Sequence, residues 1–261
     1  MPNTFIDNKD AWLRMSEVDY VGQFVKTWLA FNAWYRSAYA ATTDRAIIEE
    51  IKWNANPVSG HLRPLLDVAS EEAEQFRADI ALLHHRLENH EITAGKGVER
   101  QRITLTRIYL RDNPPVTKNG HRSGHAFVVE RQPNNHVRTE VTRNNNVRFA
   151  YQQQAYNLGE LEAFPAFQQT LTNNLRAFLR TLYLQVAPKW IANLLDGNEA
   201  PIICGAFTFR CGREPLFAGV LEALYVMRCT LFHGELAPTQ HAVKCYEPAY
   251  RLVRRFLDCV G

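Results

Sequence analysis

No run of about 18 uninterrupted apolar residues occurs in the chain, so the usual signature of a membrane-spanning helix is missing. The opening Met1-Pro2-Asn3-Thr4-Phe5-Ile6-Asp7-Asn8 has neither the basic start nor the apolar middle of a secretory leader, and a cytoplasmic protein without a membrane partner is expected. Cysteine is sparse and odd in number. Cys204, Cys211, Cys229, Cys245 and Cys259 all fall in the last quarter, which excludes a disulfide framework for 261 residues. A zinc site would have to draw on Cys204 and Cys211 with Cys229 or His233, yet there is no C-x-x-C pair and no second close ligand pair. Packed free thiols, with no metal and no cofactor, are the expectation. Internal repeats and low-complexity tracts are also missing.

What is present is an ordinary globular composition, 46% hydrophobic and 22% charged, long enough for a substantial core in one domain carrying an insertion. Val18, Val21, Phe24, Val25, Trp28, Phe31 and Tyr35 recur mostly three or four apart, predicting a helix over 17–40 with Ser16 as its cap. Ile47, Ile48 and Ile51 predict a second helix from Asp44 to Trp53. A third should run from Ser70 to about His90 on Ala73, Phe76, Ile80, Leu83 and Leu87. His84, His85 and His90 lie in that helix, but adjacent helical residues point about 100° apart, so solvated side chains are expected rather than a ligand set.

From residue 96 to 154 the apolar spacing falls to two, predicting an antiparallel meander of strands near 102–111, 125–131, 136–142 and 147–153. The connection 112–124, with Pro114-Pro115 and Asn119-Gly120, reads as a long loop. Between Lys96 and Ala150 stand 11 Lys or Arg against Glu99, Asp112, Glu130 and Glu140, a net of +7. The whole chain is +3, so the remainder sums to −4. Arg122, Arg131, Arg138, Arg143 and Arg148 are therefore candidates for contacting RNA phosphates; a hairpin kept soluble by its edge arginines is the alternative.

Helical spacing returns at Asn157-Leu158-Gly159-Glu160, which has the form of a capping box, and continues as a stripe from Leu161 to Leu182. A short helix is predicted after Pro188, on Trp190, Ile191, Leu194 and Leu195. The stretch 201–213 reads as strand or loop. Another helix should begin near Glu214-Pro215, bury Leu216, Val220, Leu224 and Met227, and stop between His233 and Pro238. Pro238 is placed to start a last helix, kinked at Pro248.

At the end of the penultimate helix stands Arg228-Cys229-Thr230-Leu231-Phe232-His233-Gly234. Five residues of ideal helix turn about 500°, leaving Arg228 and His233 about 140° apart in azimuth. This wording resembles the Arg-x4-His motif of the HEPN superfamily, and Trp28-Leu29-Ala30-Phe31-Asn32-Ala33-Trp34-Tyr35 resembles the aromatic first helix of the same family. The resemblance covers roughly 10–95 and 157–260. It implies a mainly α fold, an antiparallel helical bundle with the β-meander (about 102–153) inserted. It further implies a metal-independent endoribonuclease, homodimeric, leaving 2′,3′-cyclic phosphate and 5′-hydroxyl ends in a defence or toxin setting. In that picture Arg228 and His233 are catalytic, Asn32 and Cys229 support them, and an antitoxin or regulatory protein is a possible partner. A catalytically inactive module binding RNA or protein is the other reading. Two positions depart from the family pattern: Cys229 replaces a frequent polar residue, and Glu235 stands where one toxin branch has tyrosine.

Overall fold

A computed structural model describes residues 6, 8–10, 18–95, 100–237 and 239–261. The chain divides into two compact units, one made of residues 1–108 and 192–261, the other of Tyr109–Ile191.

The first unit opens with α1 (Tyr20–Ala38), capped by Asp19, whose Oδ1 accepts from the Gly22 amide at 2.8 Å. The expected cap Ser16 lies outside the described residues. Phe24, Trp28, Phe31 and Tyr35 are fully buried along one stripe, at the helical spacing read from the sequence. α2 (Asp44–Trp53) is capped by Thr43 and α3 (Pro57–Leu62) by an Asn56–Ser59 capping box; a 3₁₀ turn at Pro64–Leu66 follows. α4 (Glu71–Asn89) is capped by Ser70, and Glu71, Glu72 and Glu74 in its first turn complement the helix dipole. The short strands β1 (Thr93–Ala94) and β2 (Gln101–Arg102) then pair antiparallel.

The second unit begins within β3 (Ile108–Asp112), at Tyr109, and continues through β4 (Val116–Arg122), β5 (His125–Arg131), β6 (Val137–Arg143) and β7 (Asn146–Gln153). The last four form one sheet in the order β4-β5-β6-β7. Its two tightest turns need left-handed backbone, supplied by Ser123-Gly124 (φ 52° and 72°) and Asn144-Asn145 (φ 50° and 62°). Three helices follow, α5 (Leu158–Ala163), α6 (Pro165–Thr170) and α7 (Asn173–Leu184), and β8 (Lys189–Ala192) pairs with β3. Phe127, Val129, Val137, Val141 and Phe149 from one sheet face pack against Leu161, Phe167, Leu175, Leu179 and Leu182.

Back in the first unit, β9 (Ile202–Cys204) and β10 (Phe207–Phe209) form a hairpin turning at Gly205, and α8 (Arg213–Phe232), α9 (Gln240–Val243) and α10 (Tyr246–Asp258) complete the chain. α10 packs on α1 and α4, and α8 packs on α2. By length and composition α8 could cross a membrane, but 67% of its apolar window is buried within the protein, the state of a core helix.

The fold class expected from the sequence is corrected. Among the described residues the chain is about half helix and one fifth strand, with four antiparallel sheets, which makes it mixed α/β rather than a mainly helical bundle. Three segments account for most of the difference. The expected loop 112–124 is largely the strand β4. Its signal is weak because Gly120 stands where an apolar residue would alternate: a Cβ there would lie 2.8 Å from the Phe178 ring and 3.2 Å from Leu182. The helix expected after Pro188 is the strand β8, a short apolar run whose periodicity does not discriminate. The ambiguous stretch near 201–213 contains the β9–β10 hairpin.

The long stripe ending at Leu182 is likewise three helices, broken where Phe164 and Leu171 turn extended. Near the C-terminus the helix breaks at Lys244-Cys245, upstream of Pro248, which sits in the first turn of α10. Pro238, the expected starting residue, lies outside the described residues.

Candidate functional site

α8 is held in place by charge as well as by apolar packing. Lys52 of α2 is 0% exposed, and its Nζ lies 2.6 Å from Glu222 Oε2 and 2.8 Å from Glu49 Oε1. Arg45 reaches the same Glu222 oxygen at 2.7 Å while its guanidinium lies over the Tyr225 ring, 4.5 Å from the centroid. Buried charges need partners, and here each has one or more. This ionic core fixes α2 against α8 and so sets where Asp44, the first residue of α2, meets α8.

Asp44 meets Arg228. Arg228 Nη2 lies 3.2 Å from Asp44 Oδ2, with the arginine side chain 19% exposed. The other carboxylate oxygen, Oδ1, takes Arg36 at 2.5 Å and the Asn32 amide at 3.4 Å. Asn32 also donates to the Tyr35 hydroxyl. Burial pushes the Tyr35 phenol above its usual range, Asp44 adds to the rise, and the Asn32 bond and Arg228 oppose it. Asn32 is therefore linked to Arg228 through a shared carboxylate. The guanidinium of Arg228 also stacks on Phe232, one turn on, 4.6 Å from the ring centroid, and its buried Nε has no hydrogen-bond partner among the described residues.

His233 is the C-cap of α8. Its amide bonds Cys229 O at 2.9 Å, Gly234 N bonds Leu231 O at 3.1 Å, and Glu235 N bonds Thr230 O at 2.9 Å. With Gly234 left-handed at φ 65°, this is a Schellman termination. The glycine after the histidine thus has a backbone reason: a Cβ would have free space there but the wrong φ. Glu235 anchors the exit segment by accepting from the Gly95 amide at 3.1 Å. The His233 side chain is exposed and makes no polar contact among the described residues. Within one chain no hydrogen bond joins Arg228 and His233: the first is drawn toward α2, the second projects past the helix end. Cys229 is half-buried, with its sulfur 3.9 Å from Arg228 Nη1. Burial foremost, and Cys229 next, push the Tyr225 phenol up to about 12.

Set against protein-family models, curated proteins and solved structures, the chain has no match.

The five arginines singled out in the meander separate into different environments. Arg131 is 3% exposed and makes four hydrogen bonds: Nε donates to Val186 O at 2.7 Å, Nη1 to Asn135 Oδ1 at 3.0 Å, and Nη2 to Asn113 O and Pro114 O at 2.7 and 2.6 Å. Buried, with four of its five donors spent within the protein, it ties strand ends together instead of facing a phosphate, which corrects its expected role. Arg138 is exposed but ion-paired with Glu140 at 2.6 Å and lies directly opposite Glu130 in the ladder. Arg122, Arg143 and Arg148 are exposed and pair with no carboxylate among the described residues.

The histidines of α4 need a correction too. His84 is buried, not solvated, with its ring 4.5 Å from Phe207 and 5.7 Å from Phe209 of the β9–β10 hairpin. Burial lowers its pKa. Burial also pushes the thiols of Cys204, Cys211 and Cys245 up to about 12 and that of Cys259 to about 11, so at neutral pH they are protonated and unreactive. Among the described residues no group of three His, Cys, Asp or Glu is placed to hold a metal ion.

The partners Asp44, Arg36 and Glu222 are invisible to sequence reasoning. Asp44 has the appearance of a helix-start acid, and nothing in the chain ties it to a residue 184 positions away. The one available signal is Glu222 itself, a charge in the middle of an otherwise apolar helical run.

Proposed function

We propose that this chain is a metal-independent endoribonuclease of HEPN type, acting as a homodimer in the cytoplasm in a defence or toxin setting. The observation that carries the reading is the end of α8: an oriented, partly accessible arginine, and one residue beyond the helix an exposed histidine whose side chain has no polar partner among the described residues and whose backbone is held by a Schellman turn.

In this reading two copies bring their α8 ends together, so that one cleft holds two arginines and two histidines. The substrate supplies its own nucleophile. The 2′-oxygen attacks the adjacent phosphorus while the bond to the 5′-oxygen breaks, leaving a 2′,3′-cyclic phosphate and a 5′-hydroxyl. One His233 takes the 2′-hydroxyl proton and the partner copy's histidine returns one to the departing oxygen. Arg228, always charged and fork-shaped, faces the phosphate oxygens as negative charge builds. An antitoxin or other regulatory protein would act by covering this end.

The Arg228–Asp44 pair favours a second reading, a catalytically inactive module that binds RNA or protein, because the carboxylate already absorbs part of the arginine's charge. The experiment is cleavage of mixed RNA in EDTA by wild type, Arg228→Ala and His233→Ala, with end-group analysis and light scattering. The nuclease reading expects a dimer, cyclic phosphate ends, and a loss of about 10²–10⁴-fold in rate for the histidine variant. Equal cleavage by all three proteins, or none by an intact wild-type dimer, favours the inactive module.

A further inference from the structure

The second unit carries ten Lys or Arg and five acids between residues 109 and 191, a net of +5, while the rest of the chain sums to −2. The excess is not spread over the sheet. On its open face Arg138 is neutralised by Glu140 beside it and Glu130 across from it. Arg131 is buried. The three exposed sheet arginines that pair with no carboxylate among the described residues, Arg122, Arg143 and Arg148, gather at one end.

Both tight hairpin turns lie at that end. The register pairs Arg122 with His125, Ala126 with Thr142, and Arg143 with Asn146, so Arg122, His125, Arg143 and Asn146 form the terminal row across four strands. Strands about 4.8 Å apart put the Arg122 and Arg143 backbones on the order of 10 Å from each other. Val141 pairs with Phe149 and Thr142 with Val147, so Arg148 is the extra residue of a β-bulge beside the same turn, the place where a ladder re-aims a side chain. No Asp or Glu occurs from 113 to 129 or from 141 to 159.

We infer that the turn end of the β4–β7 sheet is a phosphate-backbone contact surface for single-stranded RNA, carried by Arg122, Arg143 and Arg148. Exposed guanidiniums without carboxylate partners among the described residues, spaced across a sheet end, match a phosphate chain better than an acidic protein. The turn asparagines add amide donors without sequence selectivity. The inference rests on RNA being the ligand of the proposed enzyme.

The test is anisotropy binding of a labelled 2′-O-methyl oligoribonucleotide, which cannot be cleaved by 2′-oxygen attack, to the full-length protein between 50 and 300 mM salt. The triple variant Arg122→Ala/Arg143→Ala/Arg148→Ala should bind roughly tenfold or more weakly. Its log–log salt slope should be shallower by about 2, at roughly 0.7 for each phosphate that is no longer neutralised. Replacing the same three by lysine should restore most of the binding, and Arg138→Ala should leave affinity within about twofold. Wild-type binding by the alanine triple variant, an equal loss in Arg138→Ala, or no binding by wild type overturns the inference. The two readings separate cleanly. If wild type cleaves RNA while the triple variant binds normally, only this surface fails; if binding depends on the three arginines but nothing is cleaved, only the nuclease fails.

Discussion

Arg228 Nη2 and Asp44 Oδ2 lie 3.2 Å apart across α8 and α2, and both side chains are largely removed from solvent. Arg36 and Asn32 converge on the same carboxylate, so one acid organises two cations and an amide. Asp44→Asn would leave two guanidiniums without their counter-charge. Stability should fall by about 1–3 kcal/mol, read as a lower urea midpoint at unchanged m. A midpoint identical to wild type would show that the pair is energetically idle.

The Lys52–Glu222 pair should behave differently, because Lys52 has no exposed surface at all. Lys52→Met leaves the buried Glu222 carboxylate with Arg45, and Glu222→Leu leaves Lys52 with Glu49, so each single change weakens a buried ionic cluster and should cost about 1–3 kcal/mol. The double variant should recover most of that loss. A double-mutant cycle at the urea midpoint measures the coupling, and strictly additive losses would contradict it.

His84 provides the pH dependence. Its folded-state pKa is lowered by burial, so the folded chain prefers the neutral ring while the unfolded chain binds a proton near pH 6.5. The stability associated with the neutral ring is fully present above pH 6.5 and declines as pH falls below it. Melting temperatures at pH 7.5 and 5.5 should differ more in wild type than in His84→Leu, which packs on Phe207 and Phe209 without a titratable group. An unchanged difference would assign the pH effect to other groups.

Gly120 is needed by α7. Gly120→Ala would set a Cβ 2.8 Å from the Phe178 ring, and overpacking of this kind costs about 1–3 kcal/mol. Gly120→Ala/Phe178→Leu, which withdraws the ring, should cost less than the sum of its single changes. Thermal melts of the four proteins decide it, and additive losses would place the strain elsewhere.

Local instructions are legible wherever a few neighbouring residues carry them. The spacing of Phe24, Trp28, Phe31 and Tyr35, the cap Ser70, and the turns at Asn144-Asn145 and Gly234 each act within about one turn of chain, so helix limits such as Asp44–Trp53 can be read directly. Strands whose apolar partners come from elsewhere cannot. β4 shows Lys118 and Gly120 where alternation would need apolar residues, because the packing side is furnished by Phe178 and Leu182 of α7. β8 depends on β3, about eighty residues earlier in the chain.

The candidate site divides in the same way. The sequence by itself determined that an arginine and a histidine close an apolar helix ahead of a glycine, since helix periodicity and the left-handed termination are local. It also determined that positive charge concentrates in the strand-rich segment. Only the tertiary structure decided that Arg228 is bound to Asp44, that Arg131 is buried, that Arg138 is neutralised, and that Arg122, Arg143 and Arg148 share one sheet end. Charge is carried by single residues, but its availability depends on which opposite charges and carbonyls the fold brings within about 3 Å, and those partners are set by packing and register rather than by position along the chain.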